Sequence, residues 1–330
     1  MRYEYKNGNV QVSFDTSGLG VKTRSWPDGQ DPQVDLPESM DLKVTNYCDL
    51  GDIVASDGSV IRQSVTCPYC HEKSNSRGKD GNLDLVFHYV SQMHPGSELA
   101  IGGGAPLTHS GLDNFLEDCH ESGIICNLTN NILHMRRDIE ILKEYQRRKL
   151  LHGIGVSYRG VNSLRLMPDK KDINYDKVVL HLIIGVHTKR DIEAIQDFYK
   201  SMGVTPHILL LGYKTFGNGS RFLNVFVEQQ LEWWKGEGIA KMLVEHEGTL
   251  AFDNLAIEQT NLKDQVSQDE WVKFFQGPDG THTMYMDAVT GTFAQRSTSD
   301  QRFPLSKAVY PTLQEVFNEV RNHENRILCK

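Results

Sequence analysis

Two cysteines two residues apart, in Cys67-Pro68-Tyr69-Cys70, are the clearest chemical signal in this sequence. In a tight turn that spacing puts both sulfurs on one side, within reach of one metal centre. Such a centre needs further ligands, and Cys48 and His71 are candidates. Several chemistries fit these residue types. A structural zinc site would use Cys48, Cys67, Cys70 and His71. A Cys48–Cys67 disulfide would staple a hairpin, and Cys67-Pro-Tyr-Cys70-His71 also matches a c-type haem attachment string. The last two belong outside a reducing cytosol. The N-terminal residues Met1-Arg2-Tyr3-Glu4-Tyr5-Lys6 lack the apolar stretch of a secretory signal, so a cytoplasmic protein is expected.

Eighteen residues separate Cys48 from Cys67. Within that gap, Ile53 to Arg62 reads as a β-hairpin with a two-residue Asp57-Gly58 turn. The predicted register pairs Ser56 with Ser59 and Val54 with Ile61, and its continuation sets Cys48 opposite Cys67. Directly opposed residues have Cα atoms about 4.5–5.5 Å apart. Even as a floppy loop, the gap costs only about 1.6 kcal/mol more to close than a three-residue one. Metal binding releases far more, on the order of 10 kcal/mol for structural zinc. The long spacing is therefore compatible with one shared site.

Residues 1–40 form a separate β element and linker: a hairpin of Tyr3–Lys6 and Val10–Phe14 around Asn-Gly-Asn, then a Pro-, Gly- and Asp-rich stretch from Pro27 to Pro37. From Asp41, strands alternate with helices. The strand candidates are Leu42–Tyr47, Glu98–Ile101, Ile124–Leu128, Gly153–Tyr158, Val178–Val186 and His207–Tyr213. Between them, Leu112, Phe115, Leu116 and Cys119 share a helical face, as do Ile192, Ile195, Tyr199 and Met202. Thr188 and Asp191 give the second of these helices a capping-box start. Repeated βα units imply a parallel sheet covered by helices. The predicted fold is α/β: a partial (β/α)6 TIM-like barrel over 41–219, with a small N-terminal β-hairpin. A C-terminal α+β extension over 220–330 would close the barrel. That extension contains a helix from Val225 to Met242, a strand candidate at Leu250–Leu255, a hairpin of Thr283–Ala288 and Thr292–Arg296, and a closing helix through Leu313, Val316, Phe317 and Val320.

The composition is 39% apolar and 24% charged, ordinary for a globular protein, and the 330 residues are enough to bury a full core. A net charge of −8 predicts no bulk nucleic-acid binding and no attraction to anionic membranes. No apolar run reaches the roughly 18 residues of a membrane span.

Thr45-Asn46-Tyr47-Cys48-Asp49-Leu50-Gly51, spliced to Cys67-Pro-Tyr-Cys70-His71-Glu72-Lys73-Ser74, resembles the C-x3-C-x2-C cluster loop of the radical S-adenosylmethionine (SAM) superfamily, of bacterial or phage type, interrupted by residues 52–66. The resemblance covers Asp41–Gly219. It implies that Cys48, Cys67 and Cys70 hold a [4Fe–4S] cluster, whose open iron takes the amino and carboxylate groups of S-adenosylmethionine. A 5′-deoxyadenosyl radical and hydrogen abstraction from a substrate would follow. The resemblance further implies cofactor contacts at the ends of the strands. Gly102-Gly103-Gly104-Ala105 is similar to the family's G-G-E-P segment that holds the methionine amino group, with Ala105 where the acid stands. Asn127 and Thr129 end the third strand. Ser157 would face the ribose or the methionine carboxylate, the segment at Gly185 would pack on adenine, and Lys214 ends the sixth strand. Taken without the resemblance, the glycines also suit a phosphate-cradling loop or a plain tight turn, and strand-end polar residues are commonly solvated or capping.

Implied partners are an unknown small-molecule, nucleotide or peptide substrate and an electron donor such as flavodoxin or ferredoxin. The alternative is a non-catalytic relative with a structural zinc or an empty cysteine site. A hydrolase or aldolase lacks a recognisable nucleophile–base pair. Asp253, Asn254, Gln259, His282 and Asp287 are further candidates to face a substrate, against the plainer reading that they satisfy backbone groups or face water. Cys119, Cys126 and Cys329 form no second cluster; Cys126 reads as a small core residue or a reactive thiol beside the third strand's mouth.

Overall fold

The structure, a computed structural model, describes residues 1–246, 248–275 and 277–328, and Cys329 lies outside them. The N-terminal chain forms β1 (Arg2–Asn7), β2 (Val10–Asp15) and β3 (Val21–Ser25), a three-stranded antiparallel sheet. The hairpin is where the Asn-Gly-Asn turn predicts it, with Asn7 paired to Val10. β3 had no clear sequence signal, because its alternation runs through charged residues.

Next come β4 (Ser39–Thr45), β5 (Tyr47–Val54), β6 (Val60–Arg62), α1 (Leu83–Val90), β7 (Glu98–Gly103), α2 (Leu112–Glu121), β8 (Ile125–Asn131) and α3 (Met135–Arg147). They are followed by β9 (Gly153–Ser157), β10 (Val178–Ile183), α4 (Lys189–Met202), β11 (His207–Leu211), α5 (Gly219–Phe222), α6 (Val225–Trp233) and α7 (Ile239–Glu245). The chain ends with β12 (Leu250–Phe252), α8 (Asn254–Thr260), α9 (Gln268–Phe274), β13 (Thr283–Asp287), β14 (Thr292–Ala294), β15 (Phe303–Pro304) and α10 (Leu313–Leu328).

A ten-stranded sheet, in the order β12-β11-β10-β9-β8-β7-β4-β13-β14-β15, organises the molecule. Strands β12 through β13 in that order run parallel, and β14 and β15 are antiparallel. The six predicted strands all lie in it. The expected C-terminal hairpin is β13–β14, but β13 also pairs in parallel with β4, a long-range contact that no local signal announces. The sheet has two free ends, β12 and β15, so it is an open mixed α/β sheet.

The two faces differ. Met40, Leu42, Val44, Leu99, Ile101, Leu128, Ile154, Val156, Leu180 and Leu210 are buried on one face, in a core shared with α1 to α4 and α10. Alternate residues on the other face are polar or small: Asp41, Lys43, Ala100, Gly102, Thr129, Gly155, Ser157 and His181. Strands packed between two helical layers read as unbroken apolar runs, whereas these alternate.

The β1–β3 sheet sits against the N-terminal ends of these strands. Lys22 pairs with Glu98 at 2.7 Å and Arg24 with Glu38 at 2.6 Å. Lys177 donates to the carbonyls of Thr16 and Gly18. The predicted helix from Val225 to Met242 is α6 and α7 joined by a π-helical turn, Trp234–Gly238, where Gly236 and Gly238 fall. The Thr188–Asp191 capping box is present at α4. Cys119 and Cys126 are buried on the helix side of the sheet with their thiols hydrogen-bonded, so Cys126 is a core residue away from the mouth.

Candidate active site

Cys48 follows β4 immediately, on β5, and the chain then leaves on the hairpin. The hairpin's turn differs from the expected one. Gly58 donates to the Ala55 carbonyl and Ala55 to the Ser59 carbonyl, with Gly58 at φ +83°. This is a bulged turn, so Val54 pairs with Val60 instead of Ile61, while Ile53 pairs with Arg62. The Asp57 side chain, accepting from the Ser59 amide and hydroxyl, favours this geometry over a two-residue turn.

Strand pairing ends at Ile53–Arg62 and does not continue to a Cys48–Cys67 pair; side chains bring the chain home instead. The Ser64 amide donates to Asp52 Oδ1 at 2.8 Å, and the Ser64 and Thr66 hydroxyls both donate to the Leu50 carbonyl. The Cys67 amide then donates to Ser64 Oγ at 2.9 Å, and the Cys70 amide to the Cys67 carbonyl closes the turn.

The Cys67 and Cys70 thiols are hydrogen-bonded, and Cys48 lies within electrostatic reach of both. Cys67, together with the His71 charge and the amides of Ser74 and Glu72, holds the Cys70 thiol well below its ordinary range. That bond and burial push Cys67 up, and burial pushes Cys48 up. Beside them, Arg159, two residues beyond β9, donates to Cys67 Sγ and stacks over the Tyr69 ring at 5.1 Å. Its buried Nε has no partner. Among the described residues, no three His, Cys, Asp or Glu side chains converge on a single ion-sized point.

The cysteine turn is anchored to the sheet by buried charge. Glu72 receives Lys43 of β4 at 2.7 Å and His71 at 3.1 Å, and Lys43 also reaches Asp287 of β13 at 3.4 Å. Burial opposes the Glu72 charge, yet His71 and Lys43 hold its carboxyl far below the usual range. Burial also opposes the Lys43 charge, but Glu72 and Asp287 raise it. On the far side, the Asn218 amide donates to the Cys70 carbonyl, and a Cβ at Gly217 would meet the His71 carbonyl at 2.2 Å.

The other candidates fall into distinct places. A Cβ at Gly103 would lie 2.3 Å from the Thr45 carbonyl, and one at Gly104 2.0 Å from that of Tyr47. These glycines let β7 press against the start of the cysteine loop, while Gly102 faces open space. Ala105 is buried and donates to the Tyr47 carbonyl. Thr129 and Ser157 lie on the polar face, with His181 over Gly155 next to Thr129 and pulled down to about 4 by burial. Asn127 faces the other end of the sheet, towards Glu98. Gly185, at φ +82°, packs under Val227 and Leu231 of α6. Lys214 donates to Ser297 and faces Asp41 and Asp253.

Asp41 is exposed to solvent on this face. Desolvation by the protein packed around it pushes its carboxyl up to about 6, with Lys214 opposing the effect and Asp279 and Asp253 adding to it. Asp253 caps α8 and accepts from the Gly212 amide, and Asn254 donates to Asp279. Gln259 satisfies the Tyr213 backbone, the plainer of its two readings. His282 lies at the N-terminal end of the strands between Lys22 and Arg24. Asp41, Lys43, Glu72, Arg159 and His181 were not singled out in the sequence. Two charges at alternate positions of the first sheet strand, Asp41 and Lys43, were the available signal.

Sixteen chains of solved structures match this fold. Streptococcus suis SuiB bound to precursor peptide SuiA is 13% identical with a TM-score of 0.56; the match covers 86% of this chain and 65% of SuiB. SuiB bound to S-adenosylmethionine is 14% identical over 88% of this chain and 68% of SuiB, with a TM-score of 0.55. The shared feature is an α/β fold, and at this identity the likeness shows the fold alone. This chain spans about two thirds of SuiB's length. No family model and no curated protein sequence matches the chain. No helix among the described residues is long and apolar enough to cross a membrane.

Proposed function

We propose that the chain is a radical SAM enzyme, with Cys48, Cys67 and Cys70 as the three thiolate ligands of a [4Fe–4S] cluster. The observation that carries this reading is the return of the chain at Ser64 and Thr66 to the Leu50 carbonyl, which brings the 67/70 pair into electrostatic contact with Cys48. When bound, the cluster would supply the one electron that breaks the sulfonium C–S bond of S-adenosylmethionine, giving methionine and a 5′-deoxyadenosyl radical.

The chain's own residues position and shield. Arg159 places a cation beside Cys67 and favours its thiolate. Lys43, Glu72 and Asp287 fix the cysteine turn to β4 and β13. The carbonyls around Gly102, Gly103, Gly104 and Ala105 accept from the methionine ammonium in place of the missing acid. Thr129 and Ser157 face the ribose and carboxylate; Lys214 lines the same face further out, Asn127 lies at the opposite end of the strands and takes no part, and the turn at Gly185 borders the adenine. The substrate is a peptide, the class of ligand with which SuiB was solved. A flavodoxin or ferredoxin of the cytosol supplies electrons.

Anaerobic reconstitution tests this. About four irons per chain are expected, with release of 5′-deoxyadenosine on dithionite reduction. Replacing any of the three cysteines by serine abolishes both. One zinc and no iron, or an intact cluster without cleavage, overturns the proposal. The first of these outcomes would favour a non-catalytic binding protein with zinc at the cysteines, a reading for which buried Ala105, in the place of the acid, is the specific support.

A further inference from the structure

The detour between Cys48 and Cys67 is not needed to bring the sulfurs together, since three residues would serve. Its surface is unusual. β6 pairs with β5 on one side, and among the described residues no strand covers its other edge. Val60, Ile61 and Val65 are 47%, 68% and 86% exposed. An exposed apolar strand edge is normally blunted, because it invites pairing with another chain.

A second apolar segment is tied to the same base. Phe216, Leu223, Val225 and Phe226 are 43%, 39%, 66% and 50% exposed. Asp52 at the root of the hairpin accepts from Asn218 at 3.3 Å and Arg221 at 3.2 Å, and Phe222 packs edge-on against Tyr69 of the cysteine turn. The two segments hold seven of the fifteen large apolar side chains that the described residues leave exposed, so the apolar surface is concentrated around the cysteine loop. The exposed charges of these segments lean basic, Arg62, Lys73, Arg77, Lys79 and Arg221 against Asp57, Asp80 and Glu228, on a chain of net charge −8.

We infer that the hairpin and the 216–226 segment form the docking rim for an extended segment of the peptide substrate, carrying apolar and acidic side chains, which pairs with the outer edge of β6. The inference rests on the function proposed above for its claim that the occupant is a substrate. Main-chain pairing supplies affinity, alternate apolar side chains meet the exposed valines and phenylalanines, and the basic residues select acidic neighbours.

A displayed library of random dodecapeptides, selected on the intact chain, tests the docking without any cluster. Enriched peptides are expected to alternate apolar residues with Asp or Glu, and to bind at least tenfold more weakly to the I61D/V65D variant and to F226D. Amide exchange at 60–62 should slow when they bind, and raised salt should weaken them. Ile61, Val65 and Phe226 face solvent, so an unchanged thermal midpoint confirms that these variants fold. Failure to enrich peptides beyond the I61D/V65D background, or equal binding to all variants, overturns the docking. So does a dimer of the chain that I61D/V65D dissolves, which would make a second copy the occupant. An unmutated chain that binds no peptide while taking up iron and cleaving S-adenosylmethionine sinks this inference alone; the absence of iron with peptide binding intact sinks the radical reading alone.

Discussion

Lys43 is 8% exposed and reaches two carboxylates, Glu72 and Asp287. Removing one partner of a buried pair strands the other charge, which costs on the order of 3–5 kcal/mol. Lys43→Met should therefore lower the unfolding free energy read from denaturant titration by about that much, and a K43M/E72L double variant should recover much of the loss. A shift under about 0.5 kcal/mol in K43M would show that the ion pair does not hold the cysteine turn. Gly217 makes a second residue-scale test. At φ +58°, with the His71 carbonyl 2.2 Å from any Cβ, Gly217→Ala should destabilise by about 1–3 kcal/mol and loosen the turn, read as faster exchange of the Cys70 and Asn218 amides. The cysteines and the Asp-Gly hairpin were legible in the sequence, because ligand spacing and turn chemistry are local. Lys43 and Arg159 were not, because each draws its meaning from a partner on a different element.

At the scale of elements, the six strands were visible as apolar runs, and the difference between their two faces was written in the alternation of Ile125-Cys-Asn-Leu-Thr-Asn-Asn131 and Val178-Val-Leu-His-Leu-Ile183. What alternation cannot give is the partner of a strand, which is why the pairing of β13 with β4 was missed. The turn after β10 shows an acid-sensitive link between elements. The His187 Nδ1 accepts from the Ile183 amide, and its carbonyl accepts from the Trp234 indole at 3.0 Å. Burial pulls its pKa down to about 4. The folded chain thus holds it neutral where the unfolded chain would protonate it. Its contribution is complete above about pH 6.5 and declines as pH falls towards 4, by on the order of 3 kcal/mol at most. His187→Gln, which keeps an acceptor, should flatten the fall of the thermal midpoint between pH 6.5 and 4. An unaltered slope would place the acid sensitivity elsewhere.

For the whole molecule, β13 makes the end of the chain part of the central sheet. It buries Met284 and Met286 beside Met40 and Leu42, and Asp287 meets Lys43. A fragment ending at Gly219 exposes that edge and strands the charge. It should lack a cooperative thermal transition, and a sharp transition matching that of the full chain would show that the first 219 residues stand alone. The opposite end of the sheet is stoppered by the N-terminal strands through Lys22, Arg24 and Lys177. If the proposed cofactor and peptide bind at the cysteine turn, they share the other, C-terminal end of the strands. Of two guests sharing that space, the deeper would come first and go last, and its dwell time would be governed by its neighbour's departure.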